Sequence, residues 1–369
     1  QPKNNSSIPG IKNLEQYFNL LERKLKSVEK GSEDYANILK DNSESIRDNI
    51  IRHVMIRRTR TEISEYYKDD LDKQGLKFPQ LNDPQKIVYT YSNEIESVFN
   101  DTIESIKALS YSRYKPLTYL IDIPKDVKSL LTSQRNMSGF MKSILVKRLE
   151  SSFYAFKKTL DRFILSYEKF LEMCLKGDIY ISKKFDVYDL LEYGDDEHLM
   201  DLIENDSIQH YPIHAFNKNF IVDIKNDLNI LIELKNKWTH INDDPKKNQF
   251  LLELSNNTQL LNKKIIIFTE SKETADYVAK YLNDYYPGSV LAFSGISSQS
   301  IRQDIEANFN PDYAYEKQDD IRFLVTTDVL AEGINLHRSS VIVNYDLPWN
   351  PTKIMQRVGR INRVGTEFD

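Results

Sequence analysis

The sequence contains a single cysteine, and it has neither a long apolar run nor an apparent leader. Among its 369 residues only Cys174 carries a thiol, so an intramolecular disulfide is excluded and a reducing compartment fits. No stretch of about 18 apolar residues occurs, and no charged-then-apolar signal opens the chain. These absences exclude an obvious membrane-spanning or secreted class and favour the cytoplasm.

Glycine is also scarce, and its placement excludes one kind of site. None of the 11 glycines is followed five positions later by another, so the phosphate-cradling loop GxxxxGK[ST] is missing. No apolar strand ends in an Asp-Glu pair that could hold magnesium. The net charge of −5 excludes a uniformly basic surface, although a local basic stripe would still suit nucleic acid.

The first 218 residues show mostly helical spacing. Apolar residues recur at helical intervals between residues 14 and 67 and again between residues 93 and 135, with a break at Pro124. Between these stretches, Lys86–Tyr91 is rich in β-forming residues and predicts a short strand. Residues 178–217 are less regular and predict short helices joined by loops.

The most regular apolar stripe lies between residues 149 and 174. Its members alternate steps of four and three: Leu149, Phe153, Phe156, Leu160, Phe163, Tyr167, Phe170 and Cys174. Ser138 is a candidate N-cap and Gly177 a candidate stop. Together they predict one long amphipathic helix.

After residue 220, strands and helices alternate. The predicted order is helix Ile224–Trp238, helix Lys247–Leu254, strand Lys264–Phe268, helix Lys272–Tyr285, strand Val290–Phe293, helix Ser298–Phe309, strand Ile321–Thr326 and strand Val341–Tyr345. Most of these strands are continuously apolar, as parallel strands covered on both faces are. The pattern predicts an α/β fold with a doubly wound parallel sheet, whose functional residues lie at the carboxyl ends of the strands.

Three arginines fall within the eight residues Gln356–Arg363. Arg360 and Arg363 are three positions apart, so a helix would present both on one face. One guanidinium group binds two phosphate oxygens at once and stays charged. A surface helix paired with acidic neighbours is the alternative, but the preceding strands and the Pro-Trp-Asn-Pro corner favour a phosphate site.

These segments resemble the motifs of superfamily II helicases and translocases. Gln356–Arg363 is similar to motif VI, Thr326–Leu336 to motif V and Ile266–Glu270 to motif IV. Phe293-Ser-Gly295, followed by Arg302 and Phe309, is similar to the segment between motifs IV and V. Asn344–Pro351 resembles the SWI/SNF-like branch, and within it the bacterial RapA type.

The resemblance implies a RecA-like lobe and a role for each matching residue. Arg360 and Arg363 would be catalytic arginine fingers that stabilise charge on the transferred γ-phosphoryl group. Nucleotide-linked residues would be Glu332, Gly333, Asn335, Gln356, Arg357 and Gly359, with Gln356 and Arg357 orienting their helix or linking it to the DNA-facing loops. Contacts to DNA phosphates would come from Thr269, Ser294, Gly295, Arg302 and Thr326, although capping is an equal reading of the Thr and Ser residues.

Weaker resemblances lie outside this lobe. Residues 51–60 and 76–79 resemble the segment that closes the first RecA-like lobe, where Arg57, Arg58 and Arg60 form a basic stripe or a solvated helix end. Lys147 and Arg148 lie off the apolar stripe and are candidate DNA contacts. Trp349 would clasp motif V to motif VI or pack in the core.

The resemblance implies three regions: residues 1–92 as the tail of a first lobe, 93–218 as a helical insertion and 219–369 as the second lobe. We expect part of a duplex-DNA translocase using ATP with Mg²⁺, in the cytoplasm near the nucleoid and without a membrane. The missing first lobe would hold most of the nucleotide, so this chain alone would be inactive. An RNA-directed helicase and a non-enzymatic binding module stay open. Oligomeric state is open as well.

No metal site is expected in this chain. The acidic run Asp195–His198 is interpreted as a loop, since it follows Tyr-Gly rather than an apolar strand. His210 and His214 have the spacing of metal ligands on a helix, but Pro212 lies between them and no third ligand is evident.

Overall fold

The computed structural model describes residues 6–28, 32–55, 59–75, 78–123, 128–181, 209–294, 299–331 and 334–362. The chain divides into two compact units, Gln1–Lys77 and Phe78–Asp369. The predicted division into residues 1–92, 93–218 and 219–369 stays a prediction. Asp195–His198, Arg57 and Arg58 lie outside the described residues.

The first unit is helical, as its apolar spacing predicts. Three of its helices begin at Asn13, Ser32 and Thr59, whose side chains accept backbone N–H groups of the first turn. Its elements are α1 Leu14–Lys26, α2 Glu33–Ile46, a π-helical turn Arg47–Ile51 that continues into α3 Arg52–Val54, α4 Arg60–Tyr66 and α5 Lys68–Gln74. Arg60 is exposed at the start of α4.

Four long helices open the second unit and share one apolar core. They are α6 Asn93–Ala108, α7 Lys128–Ser151, α8 Phe153–Lys176 and α9 Asn219–Thr239. All eight residues of the predicted apolar stripe are buried in this core. Trp238 of α9 packs edge-on against Phe153 and Phe156, with ring centroids 4.7 and 5.4 Å apart. No helix among the described residues is long and apolar enough to cross a bilayer.

The prediction of one unbroken helix from Ser138 to Gly177 is wrong. The chain leaves helical geometry at Ser152, where φ is −161° and ψ is 151°, and the Ser152 side chain accepts the N–H of Ala155 to start α8. A serine that caps a following turn competes with continuation of the helix. The apolar stripe hides the break, because Leu149 and Phe153 enter the same core from either side of it. Gly177, with φ of 97°, ends α8 as predicted.

The predicted strand Lys86–Tyr91 is also wrong. These residues form no ladder, and only Ile87, Tyr89 and Tyr91 are half-buried, whereas Val88 is exposed. Ile87 packs against the apolar cluster of the second lobe, whereas Tyr91 contacts Phe99 and Phe153. The β-forming residues here report packing rather than strand pairing.

An antiparallel pair of short strands stands where residues 178–217 predict only helices and loops. Strand β1 Asp178–Ile181 pairs with β2 Gln209–Pro212, and a 3₁₀ turn follows at Ile213–Ala215. The chain between them, residues 182–208, lies outside the described residues. His210 lies on β2 opposite Tyr180, so the helical spacing of His210 and His214 has no structural counterpart.

A four-stranded parallel sheet, in the order β4-β5-β3-β6, confirms the predicted doubly wound α/β fold. Its strands are β3 Ile265–Phe268, β4 Val290–Phe293, β5 Phe323–Thr326 and β6 Val341–Asn344. Its helices are α10 Pro245–Asn256, α11 Lys272–Tyr285, α12 Gln299–Phe309 and α13 Pro351–Val358. The predicted elements match these to within a few residues.

Apolar side chains cover both faces of this sheet. Ile265 and Ile267 of β3 pack with α10 and α11, whereas Ile266 and Phe268 pack with α12. This alternation follows from the two-residue period of a strand. It explains why the strands are apolar at every position, and it leaves polar side chains only where the strands end.

Candidate functional site at the carboxyl edge of the sheet

Polar residues meet where β3, β5 and β6 end. Asp346, two residues past β6, accepts hydrogen bonds from Thr269 Oγ1 at 2.5 Å and from the backbone N–H of Glu270 at 2.8 Å. Because the strands are parallel, their carboxyl ends lie along one edge and these groups come together. The contact ties the end of β3 to the segment that leads from β6 to α13.

Arg357 is a fully buried cation at the centre of this edge. Its Nε and Nη2 donate to the two carboxylate oxygens of Asp328 at 2.6 and 3.0 Å, and its Nη1 donates to Asn344 Oδ1 at 2.7 Å. The guanidinium also lies 5.1 Å from the centroid of the Phe268 ring. A buried charge is tolerated only when it is paired in this way. Arg357 therefore anchors α13 to β3, to β6 and to the 3₁₀ turn Asp328–Ala331 that follows β5.

The local sequence sets where α13 begins and ends. Asn350 caps it by accepting the N–H of Thr352, and Pro351 occupies the first turn, where no N–H is needed. At the other end, a Cβ on Gly359 would come within 3.3 Å of two carbonyl oxygens of the last turn. The last turn of the helix therefore leaves little room for a side chain at this position.

Arg360 follows directly after α13 and is tied to the motif V segment. Its N–H donates to Arg357 O at 3.1 Å, and its own carbonyl accepts the N–H of Leu336 at 3.3 Å. Leu336 is fully buried and Asn335, beside it, is half-buried. The backbone that carries Arg360 is therefore fixed from both sides. Arg363, Glu332 and Gly333 lie outside the described residues, and Gln356 is exposed on α13.

The predicted phosphate contacts fall into two groups. Thr269 and Thr326 are fully buried at the ends of β3 and β5, and the hydroxyl of Thr326 donates to Thr327 O at 3.0 Å. Ser294 is half-buried just after β4, whereas Arg302 is exposed on α12. Gly295 lies outside the described residues. The roles of these residues in nucleic-acid binding stay predictions.

Five site residues were given no role from the sequence: Glu270, Asp328, Asn344, Asp346 and Lys353. Lys353 on α13 bridges two of them, with its Nζ 3.3 Å from Glu270 Oε1 and 3.4 Å from Asp328 Oδ2. A usable signal was present, because the acidic and amide residues stand within two positions of a strand's end. Which of them pair depends on the sheet order, and the order is not legible in the sequence.

The junction of α7 and α8 lies against the same edge. Ser151 Oγ lies 2.5 Å from Asp346 Oδ2 and 2.7 Å from Thr274 Oγ1. Lys246 Nζ donates to the last carbonyls of α7, Glu150 O at 2.9 Å and Ser151 O at 2.8 Å, while lying 4.4 Å from the Tyr345 ring centroid. Burial lowers the pKa of Lys246 to about 8, against the attraction of nearby carboxylates.

The two basic residues of α7 that are candidate DNA contacts both have acidic partners, and their contact with DNA stays a prediction. Arg148 is buried and lies 3.7 Å from Glu273, while Lys147 Nζ lies 3.4 Å from Glu270 Oε2. Trp349 is 61% exposed, so the prediction that it packs in the core is wrong. Its ring centroid lies 4.8 Å from Lys147 Nζ.

The comparisons with known proteins concern the sheet and its edge. Residues 246–365 match the family described as "Helicase conserved C-terminal domain". An "Uncharacterized ATP-dependent helicase YqhH" of Bacillus subtilis (strain 168) is 32% identical over 142 residues, which are 38% of this chain and 23% of that protein. An "ATP-dependent RNA helicase sub2" of Aspergillus terreus is 31% identical over 125 residues, or 34% of this chain and 26% of that protein.

The chain thus spans about a quarter of the length of the curated relatives it matches. A solved structure titled "Crystal structure of the C-terminal part of Fun30 ATPase domain" aligns over 79% of this chain and 84% of that one, at 15% identity. Its TM-score of 0.37 is too low to support an argument. Residues 246–365 thus match a helicase C-terminal domain family, and the four-stranded parallel sheet in this part of the chain is consistent with a RecA-like α/β fold.

Proposed function

We propose that this chain supplies the second lobe of an ATP-dependent, SWI/SNF-like translocase that acts on duplex DNA. The observation that carries the proposal is the buried bond set of Arg357 with Asp328 and Asn344. It fixes the end of α13, and with it Arg360, at the functional edge of a parallel sheet. Fixed donors aimed at developing charge are what phosphoryl transfer requires of a protein.

In this proposal Arg360 and Arg363 act as arginine fingers across a cleft. Their guanidinium groups stabilise the charge that develops on the transferred phosphoryl oxygens. Arg357 touches no nucleotide and acts as a positioning residue, because its three nitrogens are committed to Asp328 and Asn344. The buried hydroxyls of Thr269 and Thr326 hold the strand ends behind the nucleic-acid contacts.

In this proposal the chain supplies one side of a nucleotide site, and the Mg²⁺ ligands come from elsewhere in the protein. Among the described residues, no three His, Cys, Asp or Glu side chains are placed to hold an ion. The sequence also has no GxxxxGK[ST] loop. Bound Mg²⁺ would neutralise charge on the β- and γ-phosphates, and we assign its ligands to a first lobe in the same protein. A cytoplasmic, nucleoid-associated location is part of the same proposal.

RNA is the alternative polymer. The relatives include proteins named ATP-dependent RNA helicases, such as sub2 of Aspergillus terreus and DBP2 of Meyerozyma guilliermondii, each 31% identical over about a third of this chain. In favour of DNA, the Trp349-Asn-Pro351 corner and residues 51–60 resemble the SWI/SNF-like branch. A non-enzymatic module is less favoured, since a scaffold has no use for Arg360 and Arg363.

Phosphate release, measured with duplex DNA, single-stranded RNA or neither, tests the proposal. We expect the 369-residue chain alone to release none, because it lacks a phosphate-cradling loop. In a protein that joins this chain to a first lobe with a phosphate-cradling loop, we expect duplex DNA to stimulate phosphate release. Stimulation by RNA and not by duplex DNA would favour RNA as the polymer. Robust turnover by the isolated chain would refute the proposal that it supplies only one side of the nucleotide site.

A further inference from the structure

The insertion helices contact the arginine-bearing edge through one lysine in particular. Lys147, near the end of α7, has its side chain only 25% exposed, although it lies off the apolar stripe that packs α7 and α8 together. We propose that Lys147 is a positioning residue for α13, through which the helical insertion controls the placement of Arg360. This inference rests on the proposed function for its catalytic consequence, but its structural part stands apart from it.

A continuous series of ion pairs joins Lys147 to α13. Lys147 Nζ lies 3.4 Å from Glu270 Oε2, and the other oxygen of Glu270 lies 3.3 Å from Lys353 Nζ. Lys353 also lies 3.4 Å from Asp328 Oδ2, and Asp328 holds Arg357 at 2.6 Å. Five charged side chains thus alternate in sign from α7 to the C-terminal end of α13.

A second contact of Lys147 reaches the start of α13. Its ammonium lies 4.8 Å from the centroid of the Trp349 ring, and Trp349 precedes the N-cap residue Asn350. A cation over an indole face is attracted by the ring's quadrupole. One side chain therefore steadies both the entry to α13 and, through Glu270, the lysine within its first turn.

The burial of these groups separates them from ordinary surface pairs. Exposed ion pairs contribute little, because water screens them and two long side chains must be held still. Here the side chains of Glu270, Lys353 and Asp328 are 15%, 28% and 23% exposed, and each contacts two partners. Without Lys147, the carboxylate of Glu270 would have Lys353 as its one remaining cation in the series, so it would draw Lys353 away from Asp328. Asp328 would then be held by Arg357 alone, so the first turn of α13 would loosen and the bond set that places Arg360 would shift with it.

The chain offers a matched control on the same helix. Lys142 lies five residues earlier on α7, and its contacts are with the Lys107 carbonyl and the Tyr111 ring, both in the insertion. Lys142→Met therefore removes the same charge and leaves the series intact. Lys147→Arg keeps a cation that can reach both Glu270 and Trp349.

Amide hydrogen exchange of α13 in the 369-residue chain is the direct test. We expect Lys147→Met to speed exchange of the Ile354–Val358 amides by about tenfold, with Lys142→Met unchanged and Lys147→Arg close to the unmodified chain. Unaltered exchange in α8 reports that the fold is intact. If α13 exchanges no faster in Lys147→Met than in Lys142→Met, the positioning role is overturned, whatever the activity.

Turnover provides the second readout. In the protein joined to its first lobe, Lys147→Met should lower kcat for ATP hydrolysis about tenfold and leave KM for ATP unchanged, since small misplacement of a catalytic group costs rate. Glu270→Gln should have the same effect, and the double variant should lose no more. If the double variant loses as much kcat as the two single variants combined, Lys147 and Glu270 act independently, and the series of ion pairs is refuted. Absent turnover in the unmodified protein would refute the proposed function instead, leaving the exchange result to decide on Lys147.

Discussion

Arg357 shows what burial adds to a recognised motif. The resemblance of Gln356–Arg363 implies that Arg357 orients its helix or links it to the DNA-facing loops, and it does not choose between the two. Burial makes the distinction: Arg357 is fully buried and paired with Asp328 and Asn344, whereas Arg360 is half-buried beyond the end of α13.

Replacing Arg357 should therefore cost folding stability as well as activity. We expect Arg357→Met to lower the free energy of unfolding by about 3 kcal/mol, because Asp328 and Asn344 lose the partner that satisfies them in a partly buried place. Arg302→Met is the matched control. Arg302 is exposed on α12, so its loss should change stability by less than about 0.5 kcal/mol. Equal effects in a urea titration would contradict the anchoring role.

At the scale of elements, Ser152 decides where one helix ends and another starts. Ser152→Ala should lower the free energy of unfolding by about 1–2 kcal/mol, since it removes the acceptor for Ala155 N–H and the contact with Thr274 Oγ1 at 2.8 Å. Ser138→Ala tests the boundary predicted from the sequence. Ser138 lies inside α7 and bonds only Arg135 O, so little change is expected. A larger loss at Ser138 would contradict the observed boundaries.

These two serines also show what the apolar pattern can predict. Periodicity reports which face is buried, and it correctly placed Leu149–Cys174 in one core. It does not report backbone breaks that leave the same face buried, and Ser152 is such a break. In the sheet, the strands were predictable because burial on both faces makes them apolar throughout. Lys86–Tyr91 is also rich in β-forming residues, but it is not apolar throughout, its residues alternate between exposed and half-buried, and no neighbouring strand pairs with it.

The candidate site also combines residues that the sequence singled out with residues that it did not. Arg360 and the other motif residues were singled out by their resemblance to helicase motifs, and their roles in phosphate chemistry stay predictions. The residues that hold them were not predictable, because pairings such as Lys147 with Glu270 or Ser151 with Asp346 join positions more than 100 residues apart. Such pairings depend on how the insertion lies on the lobe, and the sequence carries no local signal for it.

At the scale of the whole second unit, Lys246 joins the end of α7 to the segment that follows β6 and should make that junction respond to pH. Its pKa is lowered to about 8, below the ordinary value of 10.5 for lysine. Between about pH 8 and 10.5 the unfolded chain binds the proton that the folded chain has lost, so stability rises with pH in that window. Burial makes the charged form of Lys246 unfavourable in the folded chain, and loss of the proton at higher pH removes that penalty.

Comparison of Lys246→Met with the unmodified chain isolates this effect. We expect the unmodified chain to gain stability relative to the variant, on the order of 2 kcal/mol, as pH rises from 8 towards 10.5. Burial also raises the pKa of Tyr281 and Tyr345 above 10, so both proteins should lose stability above that pH. Parallel curves from urea titrations at pH 7, 8, 9 and 10 would contradict the assignment to Lys246.

We propose that Arg360 completes a nucleotide site held mainly by another lobe. The rate of ATP hydrolysis is the most direct measure of that role. Phosphate release should be followed with saturating ATP and duplex DNA, in the protein that joins this chain to its first lobe. Arg360→Ala should lower kcat by roughly 10³-fold, the scale of arginine fingers, without lowering the melting temperature by more than a few degrees. Near-normal turnover by Arg360→Ala would contradict the account.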